Sequence, residues 1–231
     1  MKVAIMNFSG NNGKTTLSEN LFLPRIPLAK YLAVESINAG SDAEKVKGKD
    51  FGYVQEEVML ADSAIVDVGA SNVEDFFKLM RQYSGSHEEF DRFIIPAVAS
   101  QKQMEDTLST IKALSALKVH PKKIRVVFNM VDVDDDVESD FYPLYAMNSA
   151  EKNFTLNNKA VIYKSELYQL LRIYSATIPQ LIDDATDWRQ KLKESKTEEE
   201  RQDAVKRISM RRLAISAQEN LDAVWSILKK D

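Results

Sequence analysis

The sequence contains no cysteine. That absence excludes a disulfide framework, a thiolate zinc site and a cysteine nucleophile, and it fits a reducing compartment. Histidine is scarce: His87 and His120 are the only two, and neither has a second histidine at ligand spacing, which argues against a histidine-based metallohydrolase. Glycine and proline number 7 and 6 in 231 residues, so a collagen-like or low-complexity chain is excluded. Long apolar runs are missing as well. The opening MKVAIMNF stops being apolar at Ser9, too soon for a secretory signal or a spanning helix. The formal net charge of −4 argues against a surface that coats nucleic acid as a whole, while leaving room for a local basic patch. The expectation is a soluble, cytoplasmic chain, long enough to bury about 70% of its unfolded surface.

What is present is a recurrence of short runs rich in Val and Ile between stretches with helical spacing. Buried strands are expected at Lys2–Asn7, Tyr31–Ser36, Ala64–Val68, Arg92–Ala97, Ile124–Met130 and Ala160–Tyr163. Near-continuous apolar runs suit a parallel sheet covered on both faces. Helices are expected at Lys14–Leu23, Asn72–Tyr83, Gln103–Leu117 and Ser165–Thr177. The alternation predicts a doubly wound α/β fold with a mostly parallel sheet and its ligand at the carboxyl ends of the strands. From about Asp184 no strand signal remains, Lys193–Arg201 is almost all charge, and Arg201–Leu228 has no Gly or Pro. The division expected is residues 1–183 as the α/β domain and 184–231 as a helical extension packed on it. The acidic stretch Asp132–Asp140 lacks the glycine and closing glutamate of an EF-hand and reads as a solvated loop.

The most informative stretch follows the first strand: Ser9-Gly10-Asn11-Asn12-Gly13-Lys14-Thr15-Thr16, then an amphipathic segment. A strand, a loop of small residues, Gly-Lys-Thr and a helix form the context of a phosphate-binding loop. Gly10 and Gly13 can turn backbone amides, including those of Asn11 and Asn12, inward around phosphate oxygens. The helix start at Lys14, continuing through Thr15 and Thr16, adds unpaired N–H groups and a positive dipole end. Lys14 is placed to reach the β- and γ-phosphates, and the Thr15 hydroxyl to hold Mg²⁺. The standard G-x-x-x-x-G-K-[ST] pattern is not met, because its first position is Phe8.

Two further segments accompany the loop. Ile65-Val66-Asp67-Val68-Gly69 is an apolar strand ending in an acid, placing Asp67 to bind Mg²⁺ through water and the Gly69 N–H to sense a γ-phosphate. Asn129, at the end of a late strand, is placed to hydrogen-bond a purine base, or it simply ends the strand. Asn129 and Asp132 match the outer positions of an N-K-x-D guanine element, but Met130 stands where its lysine belongs. ATP is therefore favoured over GTP, with base identity open.

With these residues the chain resembles the ParA/MinD group of P-loop ATPases, whose loop reads K-G-G-x-G-K-T-T and aligns with Ser9–Thr16 without gaps. Within the group the loop SGNNGKTT and the segment IVDVGASN look most like the StbB-type plasmid stability ATPases. The resemblance spans about residues 1–180. It implies ATP/ADP and Mg²⁺ as ligands, a nucleotide-dependent face-to-face homodimer, slow hydrolysis, and action on DNA through a DNA-bound adaptor protein. Two departures stand out. The signature lysine that reaches the partner's phosphate falls on Ser9. After the second strand the group shows D-x-D, where this chain has Glu35-Ser36-Ile37-Asn38. Glu35 takes the first acid's place, or it is a surface carboxylate closing the strand; the second acid falls on Ile37 or Asn38. Isoleucine accepts no proton or hydrogen bond, so hydrolysis is expected to be slow or partner-dependent. The alternatives are a nucleotide-gated binding module and a small-molecule kinase or ligase on the same fold.

Three surfaces could meet partners. Residues 201–215 carry five basic residues against the single acid Asp203. Arg207 and Arg211 lie one turn apart, which suits either a nonspecific DNA contact or a solvated helix. Leu221, Val224, Trp225 and Leu228 make an apolar stripe followed by Lys229 and Lys230. Packing on the body is expected there rather than a membrane anchor. Ser100–Thr107 corresponds, by the resemblance, to a region near the dimer face.

Overall fold

In the computed structural model, residues 1–35, 44–46 and 51–230 are described. Ile37 and Asn38, on which the second acid of the D-x-D element falls, lie outside them, as does Ser36. The strands are β1 (Lys2–Ile5), β2 (Lys30–Val34), β3 (Glu44–Val46), β4 (Ala64–Val68), β5 (Arg92–Ala97), β6 (Ile124–Val131) and β7 (Val161–Tyr163). They form one sheet in the order β3-β2-β4-β1-β5-β6-β7, with every neighbouring pair parallel. Parallel neighbours need crossovers, and the helices supply them: α1 (Lys14–Leu17), α2 (Phe51–Leu60), α3 (Val73–Gln82), α4 (Gln101–Ala116), α5 (Val137–Asp140), α6 (Tyr142–Glu151), α7 (Leu167–Ile173), α8 (Ile178–Asp183), α9 (Trp188–Glu194) and α10 (Glu198–Leu228). This is the doubly wound α/β fold that the alternation predicts.

The pleat sorts the central strands between two cores. Val3 and Ile5 of β1 belong to one apolar cluster, Ala4 and Met6 to the other. Along β4, Ala64, Val66 and Val68 face the first core while Ile65 faces the second, so Asp67 shares the side of Ile65. Because β4 and β5 flank β1 while the chain feeds β2 outward on one side and β6 on the other, the strand order reverses at the carboxyl end of β1. That crevice is where such sheets hold ligands.

Expected and observed elements part in places with physical reasons. The helix after the phosphate loop starts at Lys14 as expected, but it is α-helical only to Leu17. It then widens into a π turn (Ser18–Phe22) and a 3-10 turn (Leu23–Arg25). Pro24 lacks an N–H and crowds the carbonyl four residues before it. Arg25 Nη1 takes up the freed acceptors, donating to Asn20 O at 2.9 Å and Leu21 O at 3.1 Å. The helix expected over Ser165–Thr177 is instead α7, broken near Ser175 at φ 46°, followed by α8 with a capping box of Thr177 and Gln180. Strand β3 and helix α2 had no counterpart in the sequence reading; α2 buries Phe51, Val54 and Val58. In the acidic stretch, Asp136 caps α5, and no group of three His, Asp or Glu side chains able to hold a metal occurs among the described residues.

The long helix α10 opens on a capping box of Thr197 and Glu200. Met210, Ala214, Ala217, Leu221, Val224 and Leu228 alternate steps of four and three, and all lie in the second core. They cover the face of the sheet that carries Val3, Ile5 and Ile65. Trp225 meets Phe22 edge-on with ring centroids 5.9 Å apart, and Arg25 grips Asp222 at 2.7 Å. The stripe weighed as a membrane anchor is thus turned inward: Leu221, Val224 and Leu228 are buried. No helix among the described residues is long and apolar enough to cross a membrane.

Candidate nucleotide site

The loop from Phe8 to Gly13 joins β1 to α1 at the strand-order reversal. Two of its residues adopt the left-handed region, Asn11 at φ 55° and Gly13 at φ 84°. Gly10 does not, and has open space where a β-carbon would stand; Asn11 takes the turn expected of it, because asparagine tolerates that conformation. Gly13 is a different matter. A β-carbon there would sit 2.1 Å from Asn129 Nδ2, so both its angle and its surroundings demand glycine.

Lys14 is buried at 7% exposure and turned into the loop. Its Nζ donates to Ser9 O at 2.7 Å, to Asn12 Oδ1 at 3.3 Å and to Asn7 O at 3.5 Å. Burial lowers its pKa from 10.5 to about 8, against the opposing charge of Asp67. Asp67, buried at the end of β4, is shifted the other way: burial raises its pKa and Glu35 adds to the rise, while a hydrogen bond from Thr15, the charge of Lys14 and Tyr31 oppose it. The Tyr31 hydroxyl donates to Asp67 Oδ2 at 3.4 Å, and the same carboxylate and burial raise the phenol's own pKa.

Asp67 Oδ1 and Glu35 Oε2 are buried without a hydrogen-bond partner among the described residues. Thr15 hydrogen-bonds Asp67 and the Glu35 charge acts on the same carboxylate, so these side chains offer a hard-oxygen set that fits Mg²⁺. The structure therefore brings together Lys14, Thr15, Asp67 and Glu35. Thr16 follows Thr15 in α1, its carbonyl accepting from Asn20 Nδ2 at 3.0 Å.

Other expectations meet a different arrangement. The Gly69 N–H donates to Val34 O at 2.9 Å, so in this state it is engaged by the neighbouring strand rather than turned to a phosphate. Asn129 Nδ2 donates to Asn12 O at 2.8 Å, bracing the phosphate loop from behind. Beside it Met130, at φ 58° and half-exposed, marks an irregularity in the pairing of β6 with β7. Arg207 and Arg211 are engaged within the molecule. Arg207 pairs with Asp203 at 3.6 Å and lies over the Trp188 ring, and Arg211 donates to Asp184 O at 3.0 Å.

The sequence reading missed a set of buried polar residues under the loop. Asn7 is fully buried; its Nδ2 donates to Pro96 O at 2.9 Å and Thr107 Oγ1 at 2.8 Å, and its Oδ1 accepts from Ser9 N at 2.9 Å. Thr110, also buried, accepts from Phe8 N at 3.1 Å. The available signal was Gln103, Thr107 and Thr110 at helical spacing within the helix expected over Gln103–Leu117.

Comparison with solved structures places this architecture. Apo McdA from Cyanothece superposes with a TM-score of 0.50 at 14% identity over 78% of this chain and 92% of that one. The septum site-determining protein MinD from Pyrococcus horikoshii, complexed with Mg-ADP, superposes with a TM-score of 0.50 at 13% identity, covering 100% and 99%. A plasmid partition protein from Borrelia burgdorferi bound to AMPPNP gives a TM-score of 0.47 at 11% identity, covering 90% and 97%. The chain has the fold of the ParA/MinD-type P-loop ATPases. No protein-family model and no curated protein sequence matches it.

Proposed function

We propose that this chain is an ATP-binding, Mg²⁺-dependent nucleotide switch of the ParA/MinD type, acting in plasmid partition or stability with a DNA-bound adaptor protein. The observation that carries the reading is the convergence of Lys14, Thr15 and Asp67 at the reversal of strand order, inside a loop whose Asn11 and Gly13 are left-handed. Lys14 leaves Ser9 O and Asn12 Oδ1 to neutralise the β- and γ-phosphates, and the amides of residues 10–16 cradle them. Thr15 and Asp67, with Glu35 beside Asp67, would hold Mg²⁺, which when bound would supply charge neutralisation across the phosphates. Asn129 fixes the loop and borders the base.

A nucleotide-gated binding module with little turnover is the second reading. It is favoured by Ser9, buried at 6% exposure where the group carries its trans-acting lysine, and by the engagement of the Gly69 N–H with Val34 O. Sedimentation with ADP, with ATP–Mg²⁺ and with a non-hydrolysable analogue tests the switch, followed by single-turnover hydrolysis. A dimer only with triphosphate is expected. A monomer in every state with nucleotide bound would remove the sandwich-dimer mechanism, and bound ATP recovered intact after hours would favour the module.

A further inference from the structure

Helix α4 is tied to the phosphate loop by one face. Gln103, Thr107 and Thr110 stand at i, i+4 and i+7, so all three look toward the segment Asn7–Asn11. Both threonines are fully buried, and their hydroxyls are spoken for. Thr107 Oγ1 accepts from Asn7 Nδ2 and donates to Gln103 O at 2.7 Å, while Thr110 Oγ1 accepts from Phe8 N and donates to Asp106 O at 2.7 Å. Gln103 reaches over the outside of the loop. Its Nε2 donates to Gly10 O at 3.2 Å and Asn11 O at 3.4 Å, and its Oε1 is held by Ser100 Oγ at 2.6 Å.

The bonds close on themselves. Lys14 Nζ donates to Asn12 Oδ1, whose Nδ2 reaches Pro96 O at 3.5 Å. Pro96 O also accepts from Asn7, Asn7 binds Thr107, Thr107 binds the Gln103 carbonyl, and the Gln103 side chain returns to the loop. We propose that Gln103 is a positioning residue for the nucleotide: a latch on the outer arc of the phosphate loop that holds Gly10 and Asn11 in the shape that receives phosphate. Carbonyls drawn outward by the latch leave the adjoining amides facing inward, which is the geometry anion binding requires. The loop is then organised before nucleotide arrives, and preorganisation is worth affinity. The inference rests on the nucleotide-site reading and adds to it a residue some ninety positions away in sequence.

Gln103→Met keeps length and helix propensity and removes the donor. Affinity for a fluorescent ATP analogue is expected to fall about tenfold, as for one lost hydrogen-bonding group at a binding site. The apo melting temperature should stay within about 2 °C. Amide hydrogen exchange should quicken at residues 9–13 and stay unchanged over 104–116. Unchanged affinity overturns the proposal, and so does a loss accompanied by melting or by faster exchange along all of α4, which would mean a purely structural role. Lys14→Ala run alongside separates the levels. If the wild type binds no nucleotide, the site reading fails; if Lys14→Ala loses binding and Gln103→Met does not, only the latch fails.

Discussion

Asn129 closes on Gly13: its Nδ2 lies 2.1 Å from the point where a β-carbon on that glycine would stand, and 2.8 Å from Asn12 O. The end of β6 and the last turn of the phosphate loop are therefore fitted to each other. Gly13→Ala is expected to destabilise the protein by more than about 1 kcal/mol, from the left-handed angle and the collision together, and to abolish nucleotide binding. Chemical denaturation and calorimetry check both. Asn129→Ala in the same chain should recover only the part owed to the collision.

Lys14 illustrates a site that works against the fold. A lysine whose pKa falls from 10.5 to about 8 on folding is destabilising while charged, and the native state gives up its proton first. Stability from this group rises with pH between about 8 and 10.5, where the unfolded chain still holds the proton and the native chain does not. Relative to the wild type, Lys14→Met should thus be at its most stable at pH 7, with that relative advantage fading between pH 8 and 10.5. It should bind no nucleotide. Urea titrations across that range read the first effect.

Met130 occupies the lysine position of an N-K-x-D element whose outer residues, Asn129 and Asp132, are both present. Its methyl lies 3.6 Å from the point above Gly13 where a β-carbon would sit, a place the aliphatic stem of a lysine can fill. The wild type should prefer ATP, and Met130→Lys should move the preference toward GTP. Competition of both nucleotides against a fluorescent analogue gives the ratio; no movement would mean that the base is read elsewhere.

Leu221 is buried at the centre of the α10 seam, in the second core. Leu221→Ala should cost about 2–5 kcal/mol, read as a lowered denaturation midpoint with ATP binding retained below it. Vesicle flotation of the wild type should show no bound fraction, since the apolar stripe faces the sheet.

Most of the architecture was legible because the apolar runs of β1, β4, β5 and β6 are nearly unbroken, and the Gly-Lys-Thr signal needs no tertiary information. Helix α2 escaped because its three buried residues are spread among polar ones, and β3 because it is three residues long. The loop between β1 and α1 lies where the sequence pattern puts it and Gly13 turns as expected, but the second left-handed residue is Asn11 rather than Gly10. In the sequence Asn129 reads as reaching a purine base or simply ending its strand, and Gly69 as sensing a γ-phosphate; within the chain their hydrogen bonds go to Asn12 and Val34. Contacts such as Gln103 to Gly10 join segments far apart in the chain, and no local pattern announces them.

The seam on α10 also sets a timetable. Strand β1 precedes the other strands and lies mid-sheet, yet one of its faces is covered by side chains between Met210 and Leu228, made about two hundred residues later. During synthesis the Val3 and Ile5 side of the sheet stays wet until the seam has left the ribosome. The strand that leads into the loop therefore keeps one face uncovered until the final turns of α10 have docked.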